Sequence, residues 1–368
     1  MNKTLRIFIL VSITVLVVLL AFGGSYTYWS VAPPEKTCAS CHEISSSVQS
    51  MGNSAHSQIS CFECHGTAFS NGLHSLSEKS QMIFWHLKSK PYADDIRMSE
   101  AQYLETMERC TKCHQTEYTA WKASGHSAHY AAIFLDEKHN TTEQLNFDCL
   151  RCHGMFYEKT IKELVEPIAV KGPWRLKNQS KTHQPTIPCM ACHKIHSPGS
   201  PVQSPDYIIP NNIFYGRNLK NNSVGFYSRH EKIHFMLSQL PTPIMLNGND
   251  TVKIPVDPVY RLCVQCHAPS VWHQAGNGDD RTPRGVHEGI SCTACHERHS
   301  NNQRNSCMKC HPAISNCNFD VEAMNTTYAN PASPHDIHSV TCKDCHPDFF
   351  GKERKELKLK SFKGSTMK

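Results

Sequence analysis

One short motif, Cys-x-x-Cys-His, occurs nine times along the 368 residues and uses all but one of the 19 cysteines. Its first cysteines are Cys38, Cys61, Cys110, Cys149, Cys189, Cys263, Cys292, Cys307 and Cys342. Its second cysteines are Cys41, Cys64, Cys113, Cys152, Cys192, Cys266, Cys295, Cys310 and Cys345. Its histidines are His42, His65, His114, His153, His193, His267, His296, His311 and His346. Disulfide scaffolds are short chains, and zinc sites do not require a histidine directly after each second cysteine.

The spacing is the attachment signature of c-type haem. Two thiols add across the two vinyl groups of one ring, and the adjacent histidine reaches the iron as its proximal ligand. The motifs therefore predict nine covalently bound haem c groups, one for each copy. We number the motifs and their haem sites one to nine in chain order.

The haems also account for the composition. Apolar residues make up 39% of the chain, which is low for this length, and flat apolar rings would replace much of the core. We expect a mainly α chain with much irregular structure, as in a haem-packed multihaem cytochrome c with one N-terminal transmembrane helix. The formal charge of +6 becomes negative once the haem propionates are added, so it does not indicate nucleic-acid binding.

The N-terminus carries an apolar run, Leu5–Gly24, with one charge at Arg6. Its length suits a single bilayer crossing. Lys3 and Arg6 before it predict a cytoplasmic N-terminus, with the haem domains on the periplasmic or extracytoplasmic side of the cytoplasmic membrane. An interfacial aromatic belt follows it at Tyr26, Tyr28 and Trp29. The alternative is a signal peptide cleaved after the weak small-x-small site Ser30-Val31-Ala32. Pro33, directly after that site, disfavours cleavage.

The other 15 of the 24 histidines are candidates for the second axial position of the irons. Imidazole on both sides of an iron gives a six-coordinate, low-spin centre suited to electron transfer. We predict as distal ligands the histidines in repeated positions, followed by one in a helical stretch: His56, His126, His183, His196, His287, His299, His338 and His86. Nine irons need at most nine distal ligands, so about a third of the candidates must instead have a surface or propionate-bonded role. The histidines not singled out are His74, His129, His139, His230, His234, His273 and His335.

Three repeated units support that choice. The first has a bulky residue, Ser and His at fixed spacing, in Met51-x-x-Ser54-x-His56 and Trp121-x-x-Ser124-x-His126. The second places a histidine five residues before a motif, with His56 before Cys61 and His287 before Cys292, and looser versions at His183 and His338. The third is His-x-x-His, in His193–His196 and His296–His299.

Two helices are expected outside the motifs. Leu73–Lys90 has a rough apolar stripe and ends before Pro91, and a second helix is expected near Ser228–Leu240. The second contains His230-Glu-x-x-His234, which matches the zincin pattern, but a haem-ligand or propionate role is the preferred interpretation. Cys317, the cysteine outside the motifs, is expected to be a buried inert thiol.

The domain organisation follows the motif positions. We expect a cytoplasmic tip and anchor at 1–32, a tetrahaem domain at 33–155, a pentahaem domain at 156–350 and a basic tail at 351–368. The tail is most simply a solvated end.

Residues 1–153 resemble the NapC/NirT family of membrane-anchored tetrahaem quinol dehydrogenases, which includes the NrfH-type subunits. The resemblance rests on the anchor, on the order of the first four motifs, on Ser54-Ala-His56 and on a helix with Lys79 and Trp85-His86. It implies that the haem nearest the membrane takes electrons from quinol, and that Lys79 lies on the quinol side. Some members ligate that haem with a methionine two residues after the motif histidine, where this chain has Ile44. In this chain, either Met51 is the substitute ligand of the first iron, or that iron has an open position.

The leading interpretation is a membrane-anchored nonahaem cytochrome that carries electrons from the quinol pool to an exported redox partner or terminal reductase. Electron transfer needs closely held rings and no acid, base or nucleophile, so no catalytic residue is named. The alternative is a multihaem reductase of nitrite, hydroxylamine or a sulfur oxyanion, which needs one iron with an open site beside a polar pocket.

Overall fold

The computed structural model describes residues 3–37, 39, 41–67, 80, 83–84, 86–88, 98–197, 223–255, 257–268, 275, 280–300, 306–311 and 320–345. Among the predicted haem-binding residues, Cys38 and His346 lie outside these ranges. So do Lys79, Cys317, His74 and His273, and the expected basic tail.

A single long helix, Lys3–Val31, forms from the N-terminal apolar run. Its apolar side chains are exposed along its whole length, as at Phe8 and Leu20. A large exposed apolar surface of this kind marks a site of contact with a membrane or with another protein. By length and composition the helix can cross a membrane, and a signal sequence near an N-terminus meets the same criteria.

The other described helices are short. Their bounds are Pro34–Thr37, Ser45–Gly52, Cys61–His65, Glu100–Cys110, Gln115–Lys122, Tyr130–Phe134, Glu137–Asn140, Cys149–Cys152, Ile161–Leu164, Pro258–His267, Cys292–Cys295, Ser306–Cys310 and Cys342–Cys345. Single 3₁₀ turns lie at His42–Ile44, Gly125–Ser127, Gln179–Lys181, Cys189–Ala191, Gly285–His287 and Ile337–Ser339. Of the expected helix Leu73–Lys90, the described residues Ser80, Ile83, Phe84, His86 and Leu87 are helical.

In the described part of the chain, three antiparallel hairpins add strands that the sequence interpretation did not expect. Strand β1 (Val165–Glu166) pairs with β2 (Arg175–Leu176), and β5 (Met245–Asn247) pairs with β6 (Asp250–Val252). Between them in the chain, β3 (Gly225–Ser228) pairs with β4 (Ile233–Met236).

The hairpin β3–β4 corrects the predicted helix near Ser228–Leu240. Phe226 faces Phe235 across the pair, and such aromatic pairs stabilise sheets. Lys232 closes the turn with a φ of 58°. The prediction was wrong because the segment Ile233–Met236 pairs with β3, which places Ile233 and Phe235 two residues apart at the period of a strand.

The chain divides into two compact units. Among the described residues, unit 1 contains those up to 197, 223–240 and His299–Ser300, and unit 2 contains 241–298 and those from 306 onward. The expected boundary at 155/156 falls inside unit 1, so the contacts group the fifth motif with the first four. The core of unit 1 is formed by Tyr130, Phe134, Leu150, Leu164 and Val165, and that of unit 2 by Met245, Tyr260 and Val264.

Candidate haem-binding sites

The described motifs adopt one recurring local conformation. In five of them the backbone N–H of the histidine donates a hydrogen bond to the carbonyl of the first cysteine, which closes a single turn. The distances are 2.9 Å at His114, 2.9 Å at His153, 3.0 Å at His193, 2.9 Å at His296 and 2.7 Å at His311. A helical turn brings residues three apart onto one face. Both thiols of a motif are therefore directed to the same side, as attachment to one ring requires.

The structure also brings motif histidines together with histidines from elsewhere in the chain. In six close pairs of imidazole rings, one ring belongs to a motif and the other does not. The ring centroids are 5.4 Å apart in His42–His86, 5.8 Å in His65–His196, 6.0 Å in His114–His56, 5.9 Å in His193–His299, 6.1 Å in His296–His338 and 6.3 Å in His311–His287.

These separations fit a metal between the rings. A transition metal binds an imidazole nitrogen at about 2 Å, so two imidazoles on opposite sides of one iron place their centroids about 6 Å apart. The donor set of two thiols and two imidazoles in each site is that of haem c with two histidine ligands. The residues present therefore fit the group that the motifs imply.

The first repeated unit has the same structure in both of its copies. The Ser54 hydroxyl donates to the carbonyl of Met51 at 2.8 Å and accepts the backbone N–H of His56 at 3.1 Å. Ser124 makes the equivalent bonds to Trp121 at 2.7 Å and His126 at 3.2 Å. The serine ends the preceding helix and fixes the backbone from which the histidine projects.

Met51, the suggested substitute ligand of the first site, has Ser54 as a close neighbour. The Ser54 hydroxyl, which donates to the Met51 carbonyl, also lies 3.5 Å from the Met51 sulfur. The ring that approaches His42 is that of His86, from the helical segment after the second motif. Ile44, in turn, lies at the end of the 3₁₀ turn that begins at His42.

Backbone and carboxylate acceptors orient two of the paired histidines. Nδ1 of His287 donates to the carbonyl of Ile337, and Nδ1 of His338 donates to Asp336, both at 3.1 Å. These bonds put the ring proton on Nδ1 and leave Nε2 unprotonated, which is the usual arrangement of a metal-binding histidine.

The turns that carry His287 and His338 are themselves joined. The N–H of Arg284 donates to the His338 carbonyl, and that of Val286 to the Val340 carbonyl, at 2.6 and 2.9 Å. The approach is close enough that a Cβ at Gly285 would collide with the Val340 carbonyl oxygen. Gly285 also has a φ of +66°, a backbone conformation that residues with a side chain rarely adopt.

The surroundings of His196 favour the neutral, metal-binding form of its ring. Burial, followed by the nearby charges of His65 and Lys194, lowers the pKa of His196 to about 4. A histidine that is neutral at physiological pH keeps a lone pair for a metal without first losing a proton.

Two predicted ligands, His183 and His126, lie near histidines that are outside the motifs. His183 lies 5.7 Å from His129, which is outside the motifs. Nδ1 of His129 accepts the N–H of Ala132 at 3.1 Å as a helix cap, so the proton of a neutral His129 ring is on Nε2. Burial and the nearness of His299 lower the pKa of His126.

His335 has a carboxylate neighbour of the kind found behind metal-binding histidines, which the sequence interpretation did not predict. Its Nδ1 lies 3.0 Å from the Asp344 carboxylate, inside the ninth motif. A carboxylate behind a histidine is a common outer-sphere partner at metal sites. No repeated spacing marks His335 in the sequence, so only the folded chain reveals the pair.

The zincin pattern does not form a zinc site. His230 lies in the exposed turn of β3–β4, whereas His234 lies in β4 and donates from Nε2 to the Met190 carbonyl at 2.6 Å. The two histidines are thus not on one helical face. In the part of the chain that the structure describes, no group of three or more His, Cys, Asp or Glu side chains is arranged to hold a bare metal ion.

A buried charged cluster supports the third motif. Glu100, at the start of the helix that ends in Cys110, is 7% exposed. It accepts a 2.5 Å hydrogen bond from the Tyr130 hydroxyl and pairs with the Lys181 ammonium. Burial, together with the Glu100 charge, raises the pKa of Tyr130.

Comparison with known families gives two matches. Residues 109–194 match the family of cytochrome c554 and c-prime, and residues 255–312 match that of cytochrome c7 and related cytochrome c. The first stretch contains motifs three to five and the second contains motifs six to eight. These matches support a multihaem cytochrome c. Covalently bound haem c and electron transfer follow from that class, whereas the number nine stays a prediction.

No curated protein and no solved structure matches the chain. The matched stretches leave the first two motifs and the N-terminal helix uncovered. The resemblance of residues 1–153 to the NapC/NirT family therefore stays an interpretation from the sequence.

Proposed function

We propose that this multihaem cytochrome is a single-pass membrane protein that takes electrons from membrane quinol and passes them to an exported redox partner or terminal reductase. In this proposal the chain binds nine haems, the helix Lys3–Val31 is a retained anchor, and residues 1–153 act as in the NapC/NirT family.

The observation that carries the proposal is the pairing of motif histidines with histidines from outside the motifs. A haem held between two imidazoles supplies a one-electron centre that changes geometry little on reduction. A reductase would need an iron with an exchangeable position next to a substrate pocket. Six paired sites favour electron transport over substrate chemistry as the main role.

The N-terminal arrangement supports quinol as the donor. His42 follows the end of the helix at Val31 by eleven residues, a stretch that spans at most about 40 Å even when fully extended. The intervening short helix Pro34–Thr37 and the turn His42–Ile44 shorten it further. The first site is thereby tethered near the membrane surface.

Quinol oxidation also releases protons, which an ionisable side chain near the first site would accept. Lys88 lies two residues after His86, and its ammonium is 4.8 Å from the centre of the Phe84 ring. Among the described residues it is one candidate for this role; the family resemblance points to Lys79 instead.

The first experiment counts high-spin irons. Electron paramagnetic resonance of the oxidised, fully haem-loaded protein should show low-spin ferric haem with no stoichiometric high-spin iron. One high-spin iron per chain that binds nitrite or hydroxylamine would favour the reductase instead.

The second experiment mixes a reduced menaquinol analogue with the oxidised protein in a stopped-flow instrument. We expect fast, saturable haem reduction that is lost in Cys38→Ala/Cys41→Ala, which removes the first haem. The matched control, Cys342→Ala/Cys345→Ala, removes the ninth haem and should still be reduced. Absence of reduction by quinol, in protein that dithionite reduces fully, would refute the proposed donor.

The third experiment tests the anchor. The mature protein should remain in membranes after carbonate extraction and should retain the N-terminal helix by intact mass. A mature N-terminus near residue 33 would show that the helix is a signal sequence.

A further inference from the structure

The two His-x-x-His units lie between haem sites that are distant in sequence. His193 and His196 are three residues apart, yet the His193 ring lies beside His299 whereas the His196 ring lies beside His65. In the second His-x-x-His unit, His296–His299, the His296 ring lies beside His338 and the His299 ring lies beside His193. The two histidines of each unit therefore have different partners.

We propose that each His-x-x-His unit serves two haem sites: its first histidine is the proximal ligand of its own motif, and its second is the distal ligand of an earlier motif. His196, from the segment after the fifth motif, completes the second site. His299, from the segment after the seventh motif, completes the fifth. The inference concerns the ligands alone; it shares the paired histidines with the proposed function but not the quinol donor.

Contacts of the helix Glu100–Cys110 explain how the fifth motif reaches the second. The Arg109 guanidinium donates to the Cys64 carbonyl at 3.0 Å, which joins the helix of the second motif to the helix Glu100–Cys110. That same helix contacts the turn Cys189–Ala191 of the fifth motif. The third motif thus packs against both, and His196 emerges from the fifth motif on the side where His65 lies.

Hydrogen bonds also fix the segment that carries His196. The Lys194 N–H donates to the Ser223 carbonyl at 2.8 Å, and the Gly225 N–H donates to the Cys192 carbonyl at 2.9 Å. These bonds attach the segment after the fifth motif to the start of β3. The position of His196 is therefore set on one side by the fifth motif and on the other by the β3–β4 hairpin.

The alternative is that the second histidine of a unit ligates the iron of its own motif. The His193 ring already lies beside His299, at a centroid distance of 5.9 Å. The His296 ring already lies beside His338, at a centroid distance of 6.1 Å. Residues 1–153 therefore do not complete the second site by themselves, because the ring beside His65 is that of His196.

The arrangement also brings two sites together. Three residues span at most about 11 Å, so in this proposal the ligands of sites two and five are joined by a short peptide, although the third and fourth motifs lie between them in the chain.

The test combines ligand removal with haem removal. His196→Gly in the full-length holo-protein should create one high-spin ferric iron by electron paramagnetic resonance, and added imidazole should restore the low-spin signal. His139→Gly is the matched control, because His139 is exposed and faces Glu143 at 3.7 Å; it should create none.

The assignment comes from two double variants. Adding Cys61→Ala/Cys64→Ala, which deletes the second haem, should abolish the new high-spin signal. Adding Cys189→Ala/Cys192→Ala, which deletes the fifth haem, should leave it. The opposite result, or no high-spin iron in His196→Gly, would overturn the proposal.

A second pair keeps the test decisive if a haem deletion in this region prevents folding. His299→Gly should create a high-spin iron that persists when Cys292→Ala/Cys295→Ala removes the seventh haem. Loss of that signal would show that His299 serves its own motif. Quinol reduction of the wild-type protein is a separate measurement, so its failure would leave this ligand assignment intact.

Discussion

The Tyr130 hydroxyl donates a 2.5 Å hydrogen bond to the Glu100 carboxylate in the core of unit 1. The other carboxylate oxygen pairs with Lys181, whose side chain is 15% exposed. Carboxylates are rarely buried without such compensation. The cluster ties the helix of the third motif to the segment between the fourth and fifth motifs.

This cluster gives a prediction for stability. Lys181→Met leaves the Glu100 carboxylate buried without its cation, which should cost about 3–5 kcal/mol in the free energy of unfolding. The matched control is Lys177→Met, since the exposed pair Lys177–Glu166, at 3.2 Å, should be worth less than about 1 kcal/mol. Denaturant unfolding of both holo-proteins compares the two. Equal losses would show that Glu100 does not depend on Lys181.

A second prediction concerns the close approach at Gly285. Gly285→Ala should separate the turn of His287 from Val340 and disturb the pairs His287–His311 and His296–His338. Gly248→Ala is the control, because Gly248 has a similar φ of +64° but open space around it. Both variants carry a backbone cost of about 1–2 kcal/mol.

Only Gly285→Ala should lose further stability and gain high-spin iron. Melting temperature and electron paramagnetic resonance measure the two effects. Indistinguishable variants would mean that the contact with Val340 has no role in holding the histidines.

The third prediction is a pH dependence of stability at His234. Burial, opposed in part by the hydrogen bond to Met190, lowers the pKa of His234 to about 4. An unfolded histidine has a pKa of about 6.5, so between these values the unfolded chain binds a proton that the folded chain does not. His234 should therefore reduce stability progressively as the pH falls from about 6.5 towards 4, with no effect above that window.

Thermal unfolding of wild type and His234→Gln tests this. The wild type should lose more stability than the variant on acidification, because glutamine keeps a donor for Met190 without titrating. His139→Gln, at an exposed position, should follow the wild type. Parallel curves for wild type and His234→Gln would contradict the prediction.

The fourth prediction is the haem content. Nine complete motifs should give nine covalently bound haems per chain, measured by pyridine haemochrome absorbance and intact mass. Seven or fewer in fully matured protein would refute it. A Cys317→Ala variant should keep the same count, since that cysteine lies outside every motif.

Local spacing could be recognised in the sequence, whereas the long-range arrangement could not. The unit shared by Ser54–His56 and Ser124–His126 was visible as a spacing because its hydrogen bonds join residues two and three apart. The pairing of His65 with His196 was not visible, because it depends on the packing of three motif segments. The helix expected near Ser228 was wrong because pairing with β3 satisfies the backbone of β4.

The distance in sequence between His65 and His196 has a consequence for how the protein is made. Because a chain is synthesised from its N-terminus, the second motif is made well before the fifth. If His196 completes the second site as proposed, that site stays incomplete until residue 196 has been made and the Cys189–Ala191 turn has packed. Maturation of the second site would thus be coupled to the synthesis of the fifth motif, and a chain truncated before residue 196 would keep an incomplete second site.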